Sequence, residues 1–270
     1  MNRVALDLGF IEIYWYSLTI LLGVLFGCLV AYFELKRLKM DKEYFFNMIF
    51  YAIIFALLGA RIYYVLFNLD YYLYHLLEIF EVWNGGLAIH GGILGGILTI
   101  IIYSKKHNKS KNEIIKYLDI GSLSIIIGQV IGRWGNFFNS EAHGGITTIK
   151  YLKSIHIPNF IINGMIIGNN VYHPTFLYES LLNLIGFIIL MILRKNKKLK
   201  VGMLLSLYLI WYSFIRFFIE GLRTDSLMFI NLRVAQLLSI LLIIIGIWLF
   251  IYSYKNNKLY NDIDNKKRKK

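Results

Sequence analysis

Long apolar runs alternate along this chain with short clusters of basic residues. Seven runs approach the roughly 20 residues that cross a hydrocarbon core: Tyr16–Phe33, Phe45–Phe67, Leu87–Tyr103, Tyr117–Phe138, Thr175–Leu193, Val201–Ile219 and Val234–Tyr254. The pattern predicts an all-α polytopic membrane protein, about seven transmembrane helices in one bundle, with residues 1–270 as a single integral membrane domain. The first run reads as an anchored helix and not a cleaved signal. Its basic residues follow it, and it continues past Cys28 to Phe33. An outer arm, about 142–173, separates the fourth and fifth runs, and its Asn163-Gly164 pair between apolar stretches predicts a small extracytoplasmic β-hairpin. His173-Pro174 then marks an extended step into the fifth helix.

Glycine and cap signals refine the third run. Asn84 is a candidate N-cap. The pairs Gly91/Gly95 and Gly92/Gly96 have the small-xxx-small spacing of close helix contacts. Gly128 and Gly132 repeat it on the fourth run, so these two helices are expected to pack backbone to backbone.

Composition supports the class, at 57% hydrophobic and 17% charged with two prolines. The net charge of +13 is not spread as a nucleic-acid binder would spread it. Most Lys and Arg fall in four segments, 34–44, 105–116, 194–200 and the basic tail 255–270, whereas the intervening loops hold few. Positive loops face the cytoplasm, which puts the N-terminus outside and the C-terminus inside. A single cysteine, Cys28, rules out a disulfide framework or a Cys-based metal site. No metal or nucleotide motif occurs, so neither metal nor cofactor is expected.

Polar residues inside the apolar runs carry the candidate chemistry. Residues 132–144 read GRWGNFFNSEAHG, closing the fourth run with Arg133, Asn136, Asn139, Glu141 and His143. An arginine at that depth needs a partner or a water-filled cavity. Arg133 and Asn136 share a helix face. On the sixth run Tyr212, Arg216 and Glu220 are spaced by four, with Arg223 three further, forming one polar stripe. The alternative is that Arg216 and Glu220 merely neutralise each other. Arg61 ends the second run, suited to an ion pair with Asp70, Glu78 or Glu81, or to a substrate role. His90 lies in the first turns of the third run, and Tyr16 sits where an interfacial aromatic would. All of these fall toward the outer half of the membrane. Two or three arginines facing one cavity there suit a phosphate, and at headgroup depth a phospholipid.

These residues also carry a family likeness. GRWGNFFNSEAHG fits Gly-Arg-x-Gly-Asn-Phe-x-Asn-x-Glu-x-x-Gly at every fixed position, from Gly132 and Arg133 to Glu141 and Gly144. Trp15-Tyr16, Gly59 to Arg61, Gly85-Gly86 with His90-Gly91-Gly92, His173-Pro174 with Tyr178-Glu179, and Tyr212 to Arg223 follow in order. Over nearly its full length the chain resembles the bacterial prolipoprotein diacylglyceryl transferases, with Ala60 interrupting the family's Gly-Arg pair.

The resemblance implies a transferase of the bacterial cytoplasmic membrane with its active site toward the outer leaflet. It would move the diacylglyceryl group of phosphatidylglycerol to the lipobox cysteine of a prolipoprotein signal peptide, forming a thioether and releasing glycerol phosphate. Arg133 and Arg216 would hold the phosphate, Glu141 and Glu220 would position them, and Asn136 and Tyr16 would shape the headgroup site. Tyr212, Arg61 and Gly144 would complete the substrate site. His90 would be the thiol base or a structural residue. The partners would be the lipid, the signal peptide and the bilayer, not nucleic acid. The rival reading, a phospholipid or anion transporter using the same arginines, predicts an open route on both faces; neither an inverted repeat nor paired broken helices are visible in the sequence.

Overall fold

The computed structural model describes residues 3–9, 12–230, 232–255 and 257–262. A hairpin of β1 (Val4–Asp7) and β2 (Glu12–Tyr14) leads into α1 (Trp15–Arg37), and α2 (Lys42–Leu66) follows. Next come α3 (Leu69–Tyr72), two 3₁₀ turns (Leu76–Phe80 and Val82–Asn84), α4 (Ile89–Lys106) and α5 (Lys111–Asn139). The 142–173 stretch holds β3 (Ile146–Thr147), α6 (Ile149–Ser154), α7 (Asn159–Gly164), β4 (Ile166–Ile167) and β5 (Asn170–Tyr172). The chain then continues through α8 (Thr175–Leu193), α9 (Met203–Leu222), the short pair β6 (Met228–Phe229) and β7 (Leu232–Arg233), and α10 (Val234–Tyr254).

Among the described residues, six helices are long and apolar enough to cross a membrane: α1, α2, α5, α8, α9 and α10. The seventh expected span corresponds to α4, whose 18 residues include His90, four glycines and two terminal lysines, so its apolar content is lower. The chain forms two compact units, residues 1–38 with 115–270, and residues 39–114.

In the first unit α5 is the axis. On one side its Gly128 faces Gly23 of α1; a Cβ built on Gly23 would lie 3.0 Å from the Gly128 carbonyl oxygen. On another, Ser180 of α8 donates to the Val130 carbonyl at 2.8 Å. Toward α9, Asp119, fully buried, accepts from the backbone N–H groups of Gly202 (2.6 Å) and Leu205 (2.8 Å). This satisfies orphan donors at the start of α9. Gly202 takes φ 93°, a left-handed conformation that glycine adopts without a Cβ clash.

One end of this unit is closed by charge. Glu34 is fully buried and accepts from Arg37 (2.6 and 3.0 Å), from Arg194, and from the Tyr260 hydroxyl (2.8 Å). Burial raises the Tyr260 hydroxyl above its ordinary pKa. The Tyr260 N–H donates to Leu199 at 2.7 Å, so residues past α10 return to the bundle. The part of the basic tail at 263–270 lies outside the described residues.

Three sequence expectations change. The glycines expected to join the third and fourth runs meet other partners. Gly91 and Gly95 face Gly59 and Phe55 of α2, while Gly128 faces Gly23. Small residues define a face that tolerates close approach, not the helix that occupies it. Asn84 does not cap α4: its amide donates to Glu81 at 2.7 Å, and Ala88 occupies the cap position after two left-handed glycines, Gly85 and Gly86. The expected hairpin at 160–167 is instead α7, begun at Pro158, with Ile161 and Ile162 buried. Ile161 packs with Phe137 and Phe176. Ile161 and Ile162 serve the core as helix residues, and the strand reversal moves on to Gly168 (φ 60°) between β4 and β5, in a sheet ordered β3-β5-β4.

Candidate active site

At the end of the first unit opposite Glu34, three helices bring charge together. Arg133 ends the apolar part of α5, Glu179 lies in the first turns of α8, and Arg216 lies near the end of α9. The Arg133 guanidinium is 2.8 Å from one Glu179 oxygen, and that of Arg216 is 3.4 Å from the other. Arg216 also pairs with Glu220 at 2.6 Å. The glutamate side chains are 3% exposed, those of Arg133 and Arg216 21% and 17%. The carboxylates therefore form a buried floor, and part of each guanidinium remains accessible above it. With five N–H donors each, the arginines retain hydrogen-bonding capacity beyond these pairs.

Why the charges tolerate burial follows from the count. Two arginines and two glutamates in mutual contact are neutral as a set, which lowers the desolvation cost of any one of them.

The motif after Arg133 wraps the same end. Asn136 turns its carbonyl to Arg133 at 3.5 Å and its amide to Glu141 at 2.9 Å. Glu141 thus bonds Asn136, and its influence on Arg133 passes through that amide. Ser140 and Ala142 adopt left-handed conformations (φ 54° and 56°) that are uncommon outside glycine and cost energy. The turn delivers the Ala142 carbonyl to the Thr175 hydroxyl at 2.5 Å. Gly144 donates its N–H to His173 at 2.9 Å, and a Cβ there would sit 2.8 Å from that of His173. No side chain fits at Gly144.

Tyr16 packs against α5 at Gly135, where a Cβ would approach its ring to 2.8 Å. Tyr212 stacks on Tyr208 with centroids 5.9 Å apart, and the Tyr208 hydroxyl accepts from Gln129 at 3.0 Å. Arg223 leaves the stripe that the spacing suggested. It binds Asp225 at 2.9 and 3.0 Å, and its guanidinium holds that carboxyl below the ordinary range.

Two candidates belong to the 39–114 unit. Arg61 is 7% exposed and meets no carboxylate in the manner expected. It donates to the carbonyls of Ile79 (2.8 Å), Gly85 (2.9 Å), Gly86 (3.0 Å) and Glu78, and it lies over the Tyr72 ring. Left-handed Gly85 and Gly86 turn their carbonyls toward it. His90 is exposed at the second position of α4, its ring 5.8 Å from that of Tyr63.

Glu179 enters the sequence reading only through the family likeness, beside Tyr178, yet a carboxylate in a membrane run calls for a nearby cation, which is a signal in the sequence itself. Asn183, one turn further along α8, is fully buried. It continues the polar line inward.

A helical membrane chain with a neutral arginine–glutamate cluster whose guanidinium edges stay accessible is a protein equipped to hold an anionic group beside hydrocarbon. Comparison with known proteins is more specific. The chain belongs to the prolipoprotein diacylglyceryl transferase family, whose model matches residues 3–252. It is 48% identical over 252 residues to the phosphatidylglycerol–prolipoprotein diacylglyceryl transferase of Listeria innocua serovar 6a, covering 93% of this chain and 90% of the relative. The protein of the same name from Staphylococcus haemolyticus is 50% identical over 253 residues, covering 93% and 88%. That from Staphylococcus saprophyticus is 48% identical, covering 93% and 89%.

Proposed function

We propose that this chain transfers the diacylglyceryl group of phosphatidylglycerol to the lipobox cysteine of a prolipoprotein. The thiol sulfur attacks the glycerol carbon that bears the phosphate ester. The C–S bond forms as the C–O bond breaks, the thiol proton leaves to a base, and glycerol phosphate departs. The observation that carries this reading is the convergence of Arg133 and Arg216, from separate helices, on the one carboxylate of Glu179.

That geometry suits the chemistry. The bridging phosphodiester has one negative charge and the departing monoester gains more, so donors already in place stabilise the transition state over the ground state. The buried glutamates fix the forks and offset their charge. Asn136, with Glu141 behind it, and Tyr16 line the same end, with Tyr212 along α9 and Gly144 at the turn. His90 is the candidate thiol base, since a thiol near its ordinary pKa of about 8.5 is mostly protonated at neutral pH. Arg61, spent on carbonyls, orders the turn that precedes His90.

In the same reading α4 is a seventh span, the N-terminus lies outside, and the active site faces the outer leaflet of the bacterial cytoplasmic membrane. The Glu34 cluster supports this orientation by gathering the basic ends of α1 and α8 with the C-terminal segment at one end of its unit. Arg133, Glu179 and Arg216 lie at the other. The deciding experiment mixes purified protein with phosphatidylglycerol and a lipobox peptide, chelator present. The expected result is a peptide mass gain of one diacylglyceryl group; transport of the lipid with no such gain would refute the reading.

A further inference from the structure

The 39–114 unit carries a groove that the transfer reaction does not use. It runs between α2 and α4 and encloses about 800 Å³. That lies within the range of clefts that hold a drug-sized ligand, about 300–1,000 Å³. Along it the helices come into backbone contact at Gly59, Gly91 and Gly95. The groove opens beside that contact and its two ends differ in chemistry.

The inner end is apolar. Phe55, Leu58, Ile62 and Leu98 line it, each about half exposed. The other end is polar and cationic, lined by Asn47, Tyr51, Tyr103, Lys106 and His107. The His107 ring stacks on Tyr103 with centroids 4.1 Å apart, and its Nδ1 engages the Tyr103 carbonyl at 2.9 Å. The ring is thereby fixed, with Nε2 as its other polar atom. Acidic neighbours do not cancel this end. Asp41 caps α2 by accepting from Tyr44, and Glu113 lies with Lys109 and Ser110. Counted together, Lys42, Lys105, Lys106 and Lys109 outnumber Asp41, Glu43 and Glu113.

Length identifies the guest. At 1.5 Å per residue the lining rises about 16 Å on α4, from Gly95 to Lys106, and about 22 Å on α2, from Asn47 to Ile62. Half of a hydrocarbon core about 30 Å thick is about 15 Å. The groove therefore starts at the headgroup level and reaches at least the middle of the bilayer, far enough to take the length of one leaflet's acyl tail. We infer that it is a binding site for an anionic diacyl phospholipid, with a tail along Phe55, Leu58 and Leu98 and the headgroup on Lys106 and His107. Charge complementarity selects the anionic headgroup, and the aromatic hydroxyls of Tyr51 and Tyr103 suit the ester level.

The test uses the full chain in phosphatidylcholine nanodiscs doped with phosphatidylserine or phosphatidylcholine bearing a photoactivatable group in the tail. Phosphatidylserine is anionic and is not the lipid consumed in the proposed reaction, so the result is independent of transfer. Labelled peptides are mapped by mass spectrometry, with the exposed face of α10, Leu241 to Ile247, as the reference for ordinary annular lipid. Phosphatidylserine should label the 55–62 and 98–103 stretches about fivefold more than phosphatidylcholine, the ratio expected of one cation near the membrane surface. Lys106→Glu with His107→Gln should erase the preference, and Ile102→Trp should remove groove labelling by both lipids. Equal labelling by the two lipids in the unmutated chain, or groove labelling no stronger than on α10, overturns the inference. So does crosslinking of the groove to a second copy of the chain.

Discussion

Arg133 and Glu179 stand 2.8 Å apart across the gap between α5 and α8, though 46 positions separate them in the chain. The contact places the arginine-bearing end of α5 against the first turns of α8. Through its second oxygen Glu179 also reaches Arg216, so one buried carboxylate sets the spacing of two guanidinium groups.

Replacing that carboxylate should hurt the reaction more than binding. Glu179→Gln keeps the shape but frees both arginines to move. A misplacement of about 1 Å is enough to lower turnover about 100-fold. Arg133→Lys and Arg216→Lys should fail similarly, since an ammonium lacks the planar fork, and both Ala variants should abolish transfer while the protein still reaches the membrane. Turnover in phosphatidylglycerol liposomes decides; full activity in Arg133→Ala and Arg216→Ala would overturn the assignment.

His90→Gln isolates the thiol base. Loss of a general base lowers the rate by about 10²–10⁴-fold, and the deficit should shrink as pH rises toward the ordinary thiol pKa near 8.5. Near-normal turnover at several pH values would reduce His90 to a structural residue.

Gly135→Ala probes the seat of Tyr16. Its Cβ would lie 2.7 Å from the Thr19 hydroxyl and 2.8 Å from the Tyr16 ring, and overpacking of this kind costs about 1–3 kcal/mol. We expect lower thermal stability and lower turnover together. Gly121→Ala on the same helix meets nothing within 4 Å and should stabilise by up to about 1 kcal/mol through helix propensity. Identical behaviour of the two variants would refute the packing argument.

Tyr260→Phe tests the closure at the Glu34 end. The hydroxyl donates to a buried carboxylate, so its removal should cost about 1.5–3 kcal/mol. Glu34→Ala should cost more by stranding Arg194 and Arg37, although Arg37 is 34% exposed and its share is screened. Thermal unfolding in detergent measures both. Turnover per folded molecule should be unchanged, and an unaltered melting curve for Tyr260→Phe would show the clasp to be passive.

The pattern of the chain alone determined six long apolar helices, because hydrophobic length is a local property: α8 and α10 begin and end where the apolar runs do. It also determined the pairs that one helix makes with itself. At 3.6 residues per turn Arg216 must lie beside Glu220, and Arg133 beside Asn136, whatever surrounds them. The family motif marked the end of α5 as the candidate site for the same reason: its residues are contiguous.

Only the tertiary structure decided which helices meet. Gly128 could have faced any helix with a small residue at its depth, and it faces Gly23 of α1. Glu179 became the bridge because α5 and α9 both bring an arginine to the start of α8. Arg61 turned to carbonyls instead of the acidic residues near it, because Gly85 and Gly86 are free to turn their backbone toward it. Spacing within a helix is set by covalent geometry. Partners between helices are set by the summed packing and charge of whole faces, and no single stretch of sequence contains that sum.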